Sequence, residues 1–332
     1  MMKAFVFAAL LAVTLAFVPI DHQSFVETLT GKALVDYVNS AQSLFITEHV
    51  DVSEEFMKSR VMNVKYASPP PSDEIRATEV NTVLATIPET FDARTKWPKC
   101  KSIKLIRNQA NCGSCWAFGA AEVISDRICI ATKGARQPVI SPMDMVDCCG
   151  EYCGYGCDGG YSIQALRWWV FDGVVTGGDY QGDGCKPYQF CNSAGCPDAV
   201  TPECALSCQS KYNTEYAKDK NFGTSAYYVG MTVNAIQTDI MTNGPVEASF
   251  KVYEDFYKYK SGVYKYIAGK MLGGHAIKII GWGTENGTAY WLIANSWGTK
   301  WGENGFFKIR RGVNECGIEN NVVAGKADVD TL

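Results

Sequence analysis

Apolar positions change rhythm several times along the chain, and each change predicts a different kind of element. Met1-Met2-Lys3 is followed by an apolar run from Ala4 to Val18, with small residues alternating at Thr14 and Ala16. The run is shorter than the roughly 20 residues of a membrane-spanning helix. A charged start before a short apolar core predicts a cleaved secretory signal, placed at residues 1–16. Leu34, Val35, Tyr37 and Val38 fall close to helical spacing, and Ser53 to Met62 predicts a second short helix. A proline break at Pro69-Pro70-Pro71 follows, then an extended stretch from Val80 to Ile87. Cys115 to Thr132 predicts a long buried helix packed through Phe118, Val123, Ile124 and Ile128, with Ser114 as N-cap and Gly134 at its end. Ser162 to Phe171 predicts another helix. After about Tyr227 the pattern turns strand-like, at Val246 to Val252, His275 to Gly281, Tyr290 to Asn295 and Gly305 to Arg310. Helices first and strands later predict an α+β protein with two lobes.

Composition sharpens this division. All fourteen cysteines of the 332-residue chain lie between Cys100 and Cys316, and residues 17–86 contain neither cysteine nor tryptophan. The leading stretch therefore reads either as a small subdomain or as a removable pro-segment, and a secretory signal favours the latter. Behind such a signal a cysteine cluster predicts a disulfide framework. The alternative at Cys148, Cys149, Cys153 and Cys157 is a zinc site. The net charge of −4, without a long basic run, argues against nucleic acid as a partner. No further apolar run reaches spanning length.

Candidate chemistry centres on Gln109-Ala110-Asn111-Cys112-Gly113-Ser114-Cys115-Trp116-Ala117-Phe118. A thiol at a helix N-terminus faces unpaired N–H groups and the positive end of the dipole, which favour the nucleophilic thiolate. The rival reading is a Cys112–Cys115 redox pair, which lacks a surrounding βαβ pattern. A thiolate hydrolase needs an acid for the leaving amine, and histidine suits that task. Of His22, His49 and His275, only His275 lies outside the pro-segment, in Gly273-Gly274-His275-Ala276. Asn295, at a strand end before Ser296-Trp297-Gly298, is the candidate for orienting the imidazole ring. Gln109 and the Cys115 backbone N–H are candidates for holding a developing oxyanion.

Cys-Gly-Ser-Cys-Trp-Ala-Phe at 112–118, Gly-Gly-His-Ala at 273–276 and Asn-Ser-Trp-Gly at 295–298 together resemble the papain-like cysteine proteases. Asp126-Arg127-Ile128-Cys129-Ile130, Cys148-Cys149, Cys157-Asp158-Gly159-Gly160 and Cys185-Lys186-Pro187-Tyr188 point to the cathepsin B group, as does the short pro-segment. The resemblance runs from about Ile87 to Ala327 and implies a papain-like two-lobed fold. Its mostly helical lobe would span about 100–215 and its mostly β lobe, built on a barrel, about 216–325, within a peptidase domain at 87–332. The inhibitory propeptide would be 17–86, cut near Thr86–Ile87. It implies Cys115, His275 and Asn295 as catalytic residues across the cleft, with Gly159, Gly160, Gly274, Trp297 and Asn321 around the substrate. It also implies disulfides Cys100–Cys129, Cys112–Cys157, Cys148–Cys204, Cys149–Cys153, Cys185–Cys208 and Cys191–Cys196, leaving Cys115 and Cys316 as thiols.

The implied activity is hydrolysis of peptide and protein substrates through a thioester, at acidic pH. It would need no metal or organic cofactor, and its own propeptide and cystatin-type proteins would inhibit it. The implied location is the secretory pathway, ending in a lysosome or outside the cell. Asn286-Gly287-Thr288 is a glycosylation sequon. The alternative is a catalytically silent papain-fold binding protein, which would usually have lost Cys, His or Gln.

Two departures from the cathepsin B pattern carry expectations. The loop Cys191-Asn192-Ser193-Ala194-Gly195-Cys196 lacks the paired histidines that hold a substrate's terminal carboxylate, and Asp198 and Glu203 would repel one. Release of C-terminal dipeptides is therefore expected to be weak and internal cleavage to dominate. Asn321 stands where a glutamate accepts arginine two residues before the scissile bond, so the preference is expected to move toward apolar or aromatic side chains. Ala110 replaces a usual glycine, with little effect expected.

Overall fold

The computed structural model describes residues 22–68, 86–191, 196 and 199–330. The predicted signal and most of the extended stretch at Val80 to Ile87 lie outside them, as do Asn192 to Gly195 and Asp198. The fold is papain-like, with a helical lobe and a sheet lobe, preceded by a pro-segment.

The helical lobe is organised by the helix Cys115–Ala131, almost every residue of which is buried. It is enclosed on every side, and its charged residues are buried with partners, Asp126 with Lys278 and Arg127 with Asp239. It stops one residue earlier than predicted: Thr132 caps it, and Gly134, at φ +88°, turns the chain back so that its N–H reaches the Cys129 carbonyl. The Cys100–Cys129 bridge pins that end. Ser114 does occupy the N-cap position, but its side chain makes no capping bond; its Oγ lies 2.7 Å from the Tyr188 hydroxyl instead. Helices Pro142–Cys148 and Ser162–Phe171 pack around the central helix.

The sheet lobe contains strands β1 Phe45–Thr47, β2 Phe91–Asp92, β3 Gly223–Tyr228, β4 Val246–Tyr253, β5 Tyr259–Tyr264, β6 Met271–Glu285, β7 Thr288–Ala294, β8 Phe306–Arg310 and β9 Val322–Ala327. The main order is β1-β5-β8-β7-β6-β4-β9-β3, with β2 added against β6. β6 is long and buried along most of its length, and it pairs antiparallel with both β4 and β7. Asn286 (φ +48°) and Gly287 (φ +77°) close the β6–β7 hairpin. Two successive positive φ values are what a two-residue turn matching the strand twist demands. This hairpin sets Ala294, the end of β7, opposite Lys278 in the middle of β6.

The pro-segment is not a separate lobe. Its helices His22–Thr28, Gly31–Ala41 and Glu54–Ser59 lie on the peptidase domain, and β1 extends the sheet through antiparallel pairing with β5. The last helix ends at Ser59 rather than Met62 because the chain there straightens to pair Met62 with Gly274 in both hydrogen-bonding directions. Lys258 Nζ reaches the Val50 carbonyl at 2.8 Å, Lys260 pairs with Glu48 at 2.8 Å, and Lys270 pairs with Glu54.

Candidate active site

Three elements converge where the lobes meet: the start of the central helix, β6, and the loop leaving β7. Cys115 is the first residue of the helix and is a free, fully buried thiol. His275 lies on β6 opposite Phe250 of β4. Asn295 follows the last residue of β7, its N–H held by the Gly305 carbonyl at 3.0 Å. His275 Nε2 and Asn295 Oδ1 are 2.8 Å apart, and the same oxygen accepts from the Ser296 N–H at 2.8 Å. The Trp297 ring lies 4.7 Å from the imidazole, centre to centre, so that face of the ring is shut off from water. His275 Nδ1 is buried and makes no hydrogen bond among the described residues, while the N–H of the next residue, Ala276, is aimed at the Cys115 thiol.

Burial pushes the thiol up to about 12, against the pull of that Ala276 N–H. It pushes His275 down to about 3; the bond to Asn295 opposes this, and the charge of Arg60 adds to it. The pair is therefore neutral in this state. In this closed state desolvation outweighs the helix dipole; the thiolate expected from helix-end electrostatics concerns the opened cleft.

Gln109 is fully buried and held at both ends of its amide. Its Oε1 accepts from Ser296 Oγ at 2.7 Å; its Nε2 donates to the Cys112 carbonyl at 2.8 Å and to the pro-segment carbonyl of Arg60 at 3.1 Å. A peptide carbonyl thus already sits on the amide expected to hold an oxyanion. Tyr188 supports the same loop, its hydroxyl donating to the Gln109 carbonyl at 2.8 Å. Ala110 follows at φ +56° and is buried, so its side chain occupies a left-handed conformation that favours glycine.

The remaining sequence-derived positions fall around the pro-segment. Gly159 (φ +125°) lies beneath Tyr66 and Met62, where a Cβ would collide with both side chains. Gly160 packs instead on the Trp116 ring, and the carbonyl that takes the Asn63 N–H belongs to Asp158, at 3.3 Å. Gly274 pairs with Met62, and Asn321 Nδ2 donates to the Ser68 carbonyl at 3.1 Å. Asn108, Ser296 and Tyr188 were not singled out from sequence. Ser296 and Tyr188 stand inside motifs quoted above, but nothing local distinguishes their contacts.

Cys100–Cys129, Cys112–Cys157, Cys148–Cys204, Cys149–Cys153, Cys185–Cys208 and Cys191–Cys196 are bridged. Cys112 therefore cannot resolve Cys115, which removes the redox-pair reading, and all four proposed zinc ligands are consumed. Asp144, Asp147 and Cys148 cluster within 4.8 Å, but Lys186 Nζ already lies 3.3 Å from Asp144 and 2.9 Å from Asp147. That ammonium and the bridged sulfur leave no set of metal donors there. Among the described residues, no helix is long and apolar enough to cross a membrane.

Residues 87–326 match the papain family cysteine proteases. A gut-specific cysteine proteinase of Caenorhabditis elegans is 69% identical over 99% of this chain and 100% of its own, and cathepsin B-like cysteine proteinase 3 of the same worm is 61% identical over 90% and 83%. Procathepsin B S9 from Trypanosoma congolense superposes with a TM-score of 0.77 at 33% identity, covering 90% of this chain and 99% of that one. Digestive procathepsin L2 from Tenebrio molitor, at 24% identity and TM-score 0.66, shares the fold. The chain belongs to the papain family of cysteine proteases, where a cathepsin B-like proteinase and a procathepsin B are among the proteins it resembles.

Proposed function

We propose that this chain is the zymogen of a cysteine endopeptidase in which Cys115 is the nucleophile, His275 the acid and base, and Asn295 the group that orients the imidazole. The supporting observation is the buried triangle of a free thiol, an imidazole fixed by Asn295, and a Gln109 amide already occupied by a peptide carbonyl. Once the pro-segment leaves, water and substrate reach the cleft and the desolvation that keeps Cys115 neutral is relieved. The thiolate then attacks the scissile carbonyl carbon, and Gln109 Nε2 with the Cys115 N–H takes the oxyanion. The imidazolium protonates the leaving amine. The resulting thioester is hydrolysed by water that gives its proton to His275, which restores the thiol.

The peptidase domain begins near Ile87, after removal of a signal at 1–16 and of the segment 17–86. The protein acts in the degradation of peptides and proteins in acid, inside lysosomes or outside the cell; a gut-specific relative favours the second destination. Endopeptidase cleavage exceeds dipeptide release, because the short 191–196 loop lacks histidine. Asn321 moves selection two residues before the scissile bond away from arginine. Cystatin-type inhibitors fit the vacated cleft, and Asn286, exposed at its hairpin tip, is a glycan acceptor. The test is a reporter-peptide assay of wild type and Cys115→Ser, with and without acid activation. Activity that appears in acid and vanishes in the variant is expected; an inert wild type that still binds peptide would make the protein a silent binding module.

A further inference from the structure

The residue whose carbonyl occupies the Gln109 amide also plants its side chain in a pocket that the chemistry above leaves unused. Arg60 Nε donates to the Ala110 carbonyl at 3.0 Å and Nη2 to Asn108 Oδ1 at 2.9 Å. The guanidinium carbon stands 5.5 Å from the centre of the Trp297 ring and 5.5 Å from that of Phe56. Only 7% of the residue is exposed. Apart from Phe56, these partners all belong to the peptidase domain and survive maturation. They are also preset: Asn108 Oδ1 is aimed by the Ala110 N–H at 3.0 Å, and backbone pairing ties Asn108 to Trp297.

The position of this pocket follows from the path of the pro-segment. Beyond Arg60 the chain pairs with Gly274, passes Gly159 and reaches Asn321, the position proposed to take the residue two before the scissile bond. Arg60 precedes that run and its carbonyl is already on the Gln109 amide, so on the proposed reading its side chain takes the place of the residue after that bond.

We infer that Asn108 Oδ1, the Ala110 carbonyl and the Trp297 face form a guanidinium site in the mature enzyme, selecting substrates with arginine immediately after the scissile bond. The inference rests on the cleft being a peptidase site and names a substrate class for it. Lysine fits less well, because a point ammonium cannot stack on the indole while serving two acceptors with a planar fork.

The test uses mature enzyme and internally quenched peptides that differ only after the cleaved bond, carrying arginine, citrulline, lysine or leucine, with the cut site read by mass spectrometry. Arginine is expected to exceed citrulline about tenfold in kcat/KM, with lysine between them. Asn108→Asp keeps the acceptor for the Ala110 N–H and adds a carboxylate, so it should widen the arginine-to-citrulline ratio by about tenfold. Asn108→Ala should bring the ratio close to one. Equal rates for arginine and citrulline in wild type, or a ratio that neither variant moves, overturn the guanidinium site. Failure to cut any peptide overturns the peptidase reading instead.

Discussion

The amide of Gln109 is 3.1 Å from the carbonyl oxygen of Arg60, so a peptide bond of the pro-segment already occupies the amide proposed to hold the oxyanion. The chain bearing that carbonyl is held by the side chain of the same residue, through Asn108 and Ala110. Replacing Arg60 with alanine removes two charge-assisted bonds, at about 1.5–3 kcal/mol each. Iodoacetamide labelling of Cys115 reports the result. With the thiol pushed up to about 12 and His275 down to about 3, the wild-type zymogen should label slowly throughout pH 4 to 8, its rate rising with pH as the minor thiolate fraction grows. Arg60→Ala should label at least about tenfold faster, and matching rates would show that Arg60 is not the latch.

On the proposed reading, Asn321 offers an amide where arginine would need a carboxylate. Mature enzyme should cut a Phe-Arg reporter at least about tenfold faster than Arg-Arg, and Asn321→Glu should recover most of the difference, a charge-assisted pair of about 1.5–3 kcal/mol. Comparable kcat/KM for both peptides in wild type would rule this out.

The 191–196 loop makes a separate prediction. At acidic pH, internal cleavage of a peptide should outrun release of its C-terminal dipeptide. Equal or faster dipeptide release would mean that other groups bind the terminal carboxylate.

Buried carboxyls set how stability follows pH. Desolvation raises Glu122 to about 7 despite Lys278 and Arg107, and raises Asp255 to about 7 despite hydrogen bonds from Ile267, Tyr264, Ala268 and Phe256. A carboxyl raised on folding contributes stability that is complete below its unfolded value near 4 and lost as pH rises through about 7. The mature domain should therefore melt higher at pH 5 than at pH 7.5. A net 1 kcal/mol corresponds to about 2–4 °C for a domain of this size. A midpoint that climbs from pH 5 to 7.5 would contradict this.

Ala110 at φ +56° carries strain of about 1–2 kcal/mol. Glycine relieves it but adds unfolded-state freedom worth about 0.4–1 kcal/mol. Ala110→Gly should thus raise the melting temperature by about 1–4 °C, measured calorimetrically, and a drop would show that the methyl packs better than its backbone suffers.

The central helix, His275 and Asn295 were legible because each carries a local signature: a long apolar helix behind a cap residue, the one histidine outside the pro-segment, and an asparagine at a strand end. Ser114 was placed correctly but its bond was not, since its hydroxyl donates to that of Tyr188, 74 residues on, whose own proton goes to the Gln109 carbonyl. β3 and β9 escaped notice because neither alternates cleanly, and only their pairing with each other and with β4 makes them strands. Arg60 escaped for a similar reason: its acceptors lie about fifty residues away, and a lone arginine after a short helix looks like a solvated end.

β1 belongs to the segment that the proposed maturation discards, and it covers one side of β5. Cutting the precursor therefore unzips a sheet as well as opening a cleft. The ripened enzyme inherits a bare row of backbone donors and acceptors along Tyr259 to Gly262, a margin that another extended chain could join.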